Sequence, residues 1–123
     1  MTDLKNLPAV VEQIIKDIDQ HLQETHGRVA TAVHVSLEDA TTKKTNHLAA
    51  SWVSWVGRPP SEVPDPAHRQ IGGQEEAAEA FRQWKPGLRS GHVNNAPYVK
   101  VEEGRKRFIV PAIRRGLQSV DDE

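Results

Sequence analysis

Seven apolar residues near the start of the chain constrain its fold more than any other feature. Leu7, Val10, Val11, Ile14, Ile15, Ile18 and Leu22 recur at steps of three and four. That spacing lines up side chains along one side of an α-helix. Glu12, Lys16, Asp17 and Asp19 surround the stripe. Pro8 falls in the first turn, where its missing N–H is not needed. The pattern predicts a helix over about 7–25, with Gly27 ending or bending it.

The next segment, "RVATAVHVSLEDATTK", fits two periods. Val33, Val35 and Leu37 alternate as in a strand, whereas Val29, Val33, Leu37 and Ala40 step by four or three. The helical match is longer and predicts a second helix over about 28–41, against the β-branched content. "LAASWVSWVG" reads as a strand from Leu48 to Gly57, with Trp52 and Val56 facing one way and Val53 and Trp55 the other. Both faces are apolar, so each needs a cover, from this chain or from a neighbouring subunit. Residues 58–73 hold four of the eight prolines and read as a long Pro/Gly-rich loop, a kind often functional or disordered.

"QEEAAEAFRQWK" predicts a short middle helix from Gln74 to Lys85. Glu75 and Glu76 suit its positive end, and Pro86-Gly87 stops it. "LRSGHVNN" gives a short strand, and "PYVKVEEG" follows. Phe108, Ile109, Ala112, Ile113 and Leu117 make a last helical face with Pro111 in its first turn. Residues 119–123 are expected to form a solvated acidic tail.

The bulk properties are those of one domain, residues 1–123. Sixteen basic and seventeen acidic side chains leave a net charge of −1, which argues against generic nucleic-acid binding. The chain has no cysteine, so disulfides, thiolate metal sites and Cys nucleophiles are excluded. The N-terminus has no basic n-region followed by an unbroken apolar run, and no signal peptide is expected. No run approaches a transmembrane helix. A reducing cytoplasm is the expected place of synthesis.

A search for chemistry finds no convergent set. His21 and His26 are five apart, and His26 and His34 eight apart. Neither is the four-residue step that puts two ligands on one helical face. The six histidines read as scattered surface or capping residues, and no metal or cofactor is expected. Glu102 and Glu103 are adjacent and diverge on any regular backbone, whereas paired catalytic carboxylates must converge. Ser51, Ser54 and Ser90 lack a nucleophile-elbow context. No catalytic residue is assigned. Lys100, Arg105, Lys106, Arg107, Arg114 and Arg115 form a late basic run. It reads as a solvated helix face or as a patch for an acidic partner or a DNA backbone.

One punctuated stretch remains, "NNAPYVKVEEG" from Asn94 to Gly104. Asn94-Asn95 can turn the chain, Pro97 fixes it and Gly104 releases it. Tyr98 offers an apolar body with a polar tip, suited to a core rim or a subunit contact. The stretch is a shaped corner with no reagent in it.

In this order the pieces resemble tailed-phage tail-completion and head–tail joining proteins, the neck and minor tail components. In "TTKKTNHLAASWVSWVGRPP", Thr41, Thr45, Leu48, Ala50, Ser51 and Trp52 fit the family's segment. "KPGLRSGHVNNAPYVKVEEG" looks like the strand that follows in the family, with Asn94, Asn95, Pro97, Tyr98, Glu102 and Gly104 at matching places. A closing helix such as "FIVPAIRRGL" is also usual. The similarity spans residues 28–118. It departs where the family carries Pro, Asp and Gly, at Thr42, Lys44 and Asn46.

The reading is an α+β fold: an antiparallel sheet packed by a long N-terminal helix, a short middle helix and a C-terminal helix. The resemblance implies a structural virion protein at the head–tail interface, a tail completion protein, tail terminator or neck connector. It implies no enzyme and no cofactor. It also implies a ring around the DNA path, of six copies in the first instance and twelve in the second. Neighbouring tail-tube and head-connector proteins would be its partners, and DNA would pass through the lumen without specific binding. Assembly would take place in the host cytoplasm, without a membrane. Trp52, Trp55, Tyr98, Arg105, Arg107, Arg114 and Arg115 are the expected subunit or partner contacts. The alternatives are a small phage-encoded nucleic-acid-binding or host-modifying protein, or a small hydrolase.

Overall fold

The computed structural model describes residues 6–41, 47–65, 71 and 73–121. In chain order these form α1 (Leu7–Ala40), α2 (His47–Ala50), β1 (Trp52–Val56), α3 (Gly73–Phe81), β2 (Ser90–Asn94), α4 (Val99–Lys106) and α5 (Ile109–Asp121). The fold is α+β, rich in helix, with one two-stranded antiparallel sheet.

The first 34 residues of this order are a single helix, not two. Gly27 neither ends nor bends the chain enough to divide it. A glycine inside a helix costs roughly 1 kcal/mol against alanine, and the turn just before it is anchored to the body. Gln23 donates to the carbonyls of Arg82 and Trp84 at 2.9 and 3.0 Å. The ring of His26 stacks on Trp84 with centroids 4.0 Å apart. Beyond Gly27 the four-residue step wins over the β-branched content, because it buries Val33 and Leu37 in the core.

That core joins Val33, Leu37, Trp52, Phe108 and Ala112. Helix α5 runs antiparallel along the second half of α1. Ser36 Oγ donates to Ala112 O at 2.6 Å, and Gly116 lies against the backbone of Ala32 and Val33. A Cβ on Gly116 would stand 2.7 Å from Val33 Cα, so only glycine allows this crossing. Helix α3 covers another side of α1 through the buried Ala77 and Phe81.

Three other expectations change. The strand expected from Leu48 begins only at Trp52, because His47–Ala50 forms a helical turn in which Ser51 Oγ donates to His47 O at 2.6 Å. The corner from Asn94 leads into a helix rather than a strand, and Gly104 lies inside it. Ala96 N–H donates to Asn94 Oδ1 at 3.0 Å, an Asx-type turn that starts the new direction. Asn94 and Asn95 also tie the corner to Leu48 O and Pro60 O, each at 2.8 Å. Arg107, left-handed at φ 48°, ends the helix. The expected acidic tail is helical as far as Asp121.

The loop expected over 58–73 is irregular from 57 to 65, and α3 already begins at Gly73. Its residues 66–70 and 72 lie outside the described residues, as do Thr42, Lys44, Thr45 and Asn46 of the family-like segment and the last two residues of the tail.

Candidate functional site

Among the described residues nothing covers the apolar stripe that predicted α1. Every residue from 6 to 22 is exposed, and the seven stripe residues are 42–53% accessible. The hydrogen bonds of α1 to the body begin at Gln23, and Gln20 borders a cavity with Phe81 and Arg82. The leading half of the helix therefore projects from the body, for about 24 Å at 1.5 Å per residue. Seven half-exposed Val, Leu and Ile side chains amount to about 600 Å² of apolar surface, the upper end for the largest patch on an ordinary monomer. Gln13 donates to Asp17 at 2.9 Å and Gln20 to Glu24 at 3.1 Å, which stiffens the polar side of the same segment.

The second surface is basic. Arg105, Arg107, Arg114 and Arg115 are all exposed, and Tyr98 is 71% accessible. Val110, Arg114 and Leu117 step by four and three along the outer side of α5, where Val110 and Leu117 are exposed. The acidic neighbours are engaged locally. Glu102 faces Lys106 at 3.6 Å and Arg105 at 3.9 Å. Glu103 Oε2 accepts the N–H of Ile109 at 3.0 Å, capping α5. The two carboxylates diverge as their adjacency requires.

The tryptophans separate. Trp52 is 9% exposed within the core, and its Nε1–H donates to Thr41 Oγ1 at 2.8 Å. Thr41 Oγ in turn donates to Leu37 O at 2.6 Å. The expectation of a subunit contact at Trp52 is corrected: the ring is spent inside the subunit. Trp55 lies on the opposite face of the sheet, paired with Gly91, and is half-buried over that residue. Val53, on the same face, is exposed.

The histidines are a further correction. His26, His34 and His92 are not scattered; α1 and β2 bring them together beneath Phe81 and Ser54. His34 Nδ1 lies 2.9 Å from Ser54 Oγ, and its Nε2 lies 2.5 Å from Glu38 Oε1. Ser54 Oγ also stands 3.5 Å from His92 Nδ1. His26 Nε2 meets Ser90 Oγ at 2.6 Å. The pattern is satisfied when His92 donates to Ser54, Ser54 to His34, and His34 to Glu38, all with neutral rings.

Burial sustains that neutrality. It lowers the pKa of His26. It lowers that of His34 too, partly offset by the Glu76 carboxylate. His92 is pushed down to about 4, first by burial and then by the nearby His34 and His26. The spacing of His26 and His34, two helical turns, is the signal that places both on one side of α1.

Chemically, Ser54, His34 and Glu38 form a nucleophile–base–orienter chain. Ser54 and His34 open on a cavity of about 150 Å³ that Trp52, Ala77 and Glu76 also line. Glu76 sets a negative field where an oxyanion would need donors. Among the described residues no group of three His, Cys, Asp or Glu side chains could hold a metal ion, and no helix is long and apolar enough to cross a membrane.

Comparison with protein-family models, curated proteins and solved structures finds no significant match to this chain.

Proposed function

We propose that this chain is a structural subunit of the head–tail joint of a tailed phage, completing the tail or connecting it to the capsid. The observation that carries the assembly part of this reading is the uncovered leading half of α1. A soluble monomer gains nothing from about 600 Å² of contiguous apolar surface on a projecting helix, whereas an assembly part uses it. The location rests on the resemblance of residues 28–118. Copies surround the DNA path as a ring, six first and twelve second, between tail-tube and head-connector proteins. The basic groups turn to protein neighbours, because positive charge at the lumen would hold the DNA through counterion release.

Immunogold labelling of intact tailed particles that encode the chain tests the location. Label at the neck is expected. Label confined to the capsid shell or tail tip, or none on purified particles, contradicts it.

The Ser54–His34–Glu38 chain favours a second reading, a small hydrolase. A fluorophosphonate probe tests it directly. Stoichiometric labelling that Ser54→Ala abolishes supports the hydrolase. An unlabelled wild type rejects it and leaves the network as core polarity.

A further inference from the structure

The exposed stripe continues a seam that the chain itself fills elsewhere. With an advance of about 100° per residue, Val11, Ile15, Ile18 and Leu22 fall within about 60° of Val33 around the axis of α1. Val33 is where Gly116 of α5 lies. Helix α5 then runs out: Ser119 lines a cavity with Gly27 and Arg28, near the end of the helix. Past that point the same side of α1 carries apolar side chains that no described residue covers.

Charge selects what belongs there. Between Leu7 and Glu24 the helix has four carboxylates and one lysine. By the same helical advance, Glu12 and Asp19 fall along one border of the stripe and Asp17 along the other. Pairing this stripe with the same stripe of another copy sets carboxylate rows side by side. The outer side of α4 and α5 is the opposite. From Tyr98 to Gln118 it has six basic residues and two acidic ones, and the acidic pair is engaged locally. Val110 and Leu117 flank Arg114 there, an apolar strip with a cation in it.

We propose that the leading half of α1 docks on the outer face of α5 of a second copy. The stripe would lie along Val110 and Leu117, and Glu12, Asp17 and Asp19 would meet Arg107, Arg114 and Arg115. Arginine suits this role because its planar fork grips a carboxylate with two hydrogen bonds. Burying the stripe and an equal area of the partner removes about 1,200 Å² from water, the lower bound for a stable specific interface. The contact is head-to-tail: each copy offers one donor helix and one acceptor face. Repetition closes into a ring when the rotation per step divides a full turn, and otherwise extends into a filament. This contact deepens the assembly reading and rests on it, but it concerns the purified chain and not the particle. Misplaced label on particles would overturn the location and leave the contact standing.

The test uses two full-length variants, one carrying Ile14→Ser with Ile18→Ser and the other Arg114→Glu with Arg115→Glu. Both change exposed residues, so circular dichroism should match wild type. Sedimentation velocity at rising concentration should show assembly of wild type and at least tenfold weaker association of each variant alone. Mixed one to one, the variants should form a heterodimer and stop there, because one intact α1 and one intact α5 face remain. A wild type monomeric at 100 µM overturns the proposal. So does an Arg114/Arg115 variant that dimerises as well as wild type, which would indicate stripe-to-stripe pairing. A mixture that stays monomeric likewise overturns it.

Discussion

Gly116→Ala sets two physical effects against each other. Helix propensity alone favours the substitution by up to about 1 kcal/mol, since glycine inside a helix is the less stable choice. The crossing with α1 opposes it. The new Cβ would meet Val33 Cα at 2.7 Å, with Ala32 O and Val33 N both at 3.0 Å. All three are backbone atoms, so no rotamer change relieves them. Restoring ordinary carbon–carbon separation requires α5 to move out by about 1 Å. That movement loosens Phe108 and Ala112 from the core and lengthens the bond from Ser36 to Ala112 O. Overpacking of this kind costs about 1–3 kcal/mol, so the net loss after the propensity gain should lie between about 0 and 2 kcal/mol, centred near 1 kcal/mol. For a chain of this size a loss of about 1 kcal/mol lowers Tm by about 4 °C. Urea unfolding followed by circular dichroism measures it directly. A variant stabilised by the full propensity gain of about 1 kcal/mol would refute the close crossing of α1 and α5, and with it the seam from which the docking geometry is read.

Other predictions rest on separate contacts. Gly91→Ala should cost less than Gly116→Ala, because its nearest neighbour is the Trp55 ring at 3.0 Å, and a half-buried side chain can shift where backbone cannot; paired unfolding curves rank the two. Trp52→Phe removes the donor to Thr41 and some core volume, and should cost about 1–3 kcal/mol by the same assay. Stability should also fall in acid. His92 has a folded pKa of about 4 against 6.5 unfolded, so the unfolded chain takes up the proton first. Its contribution, about 3 kcal/mol at most, is complete above pH 6.5 and is lost as pH falls from there towards 4. His92→Asn should flatten the dependence of Tm on pH over that window, and an equal slope in the variant would assign the loss to other groups.

The two ends of the fold were legible for one reason. Apolar residues at helical steps from Leu7 and from Phe108 report helices whatever those helices touch. The division at Gly27 was misread because local propensity carries no record of the contacts that Gln23 and His26, just before that glycine, make with the turn after α3. The segment after Pro97 was misread because its strand reading came from the family resemblance and not from its own periodicity. Its helical signal was the spacing of Glu102 to Lys106, a four-residue ion pair. The basic face was legible as charge, but Leu117, grouped in sequence with Phe108 and Ala112, lies exposed on the outer side with Val110 instead. Trp52 could not be told from Trp55 by composition or alternation; the Thr41 hydroxyl decides which ring goes inside. The histidine network joins residues 58 positions apart in the chain, His34 and His92, and only the packing of β2 against α1 brings them together.

The central claim is that this chain works as an assembly part with one donor helix and one acceptor face. Native mass spectrometry of the full-length protein, over a concentration series, tests it most directly. The account predicts a single closed species at a fixed multiple of the chain mass, six first and twelve second, replacing the monomer as concentration rises. A spectrum that holds only monomer at every concentration, or only a dimer that never grows, would contradict it.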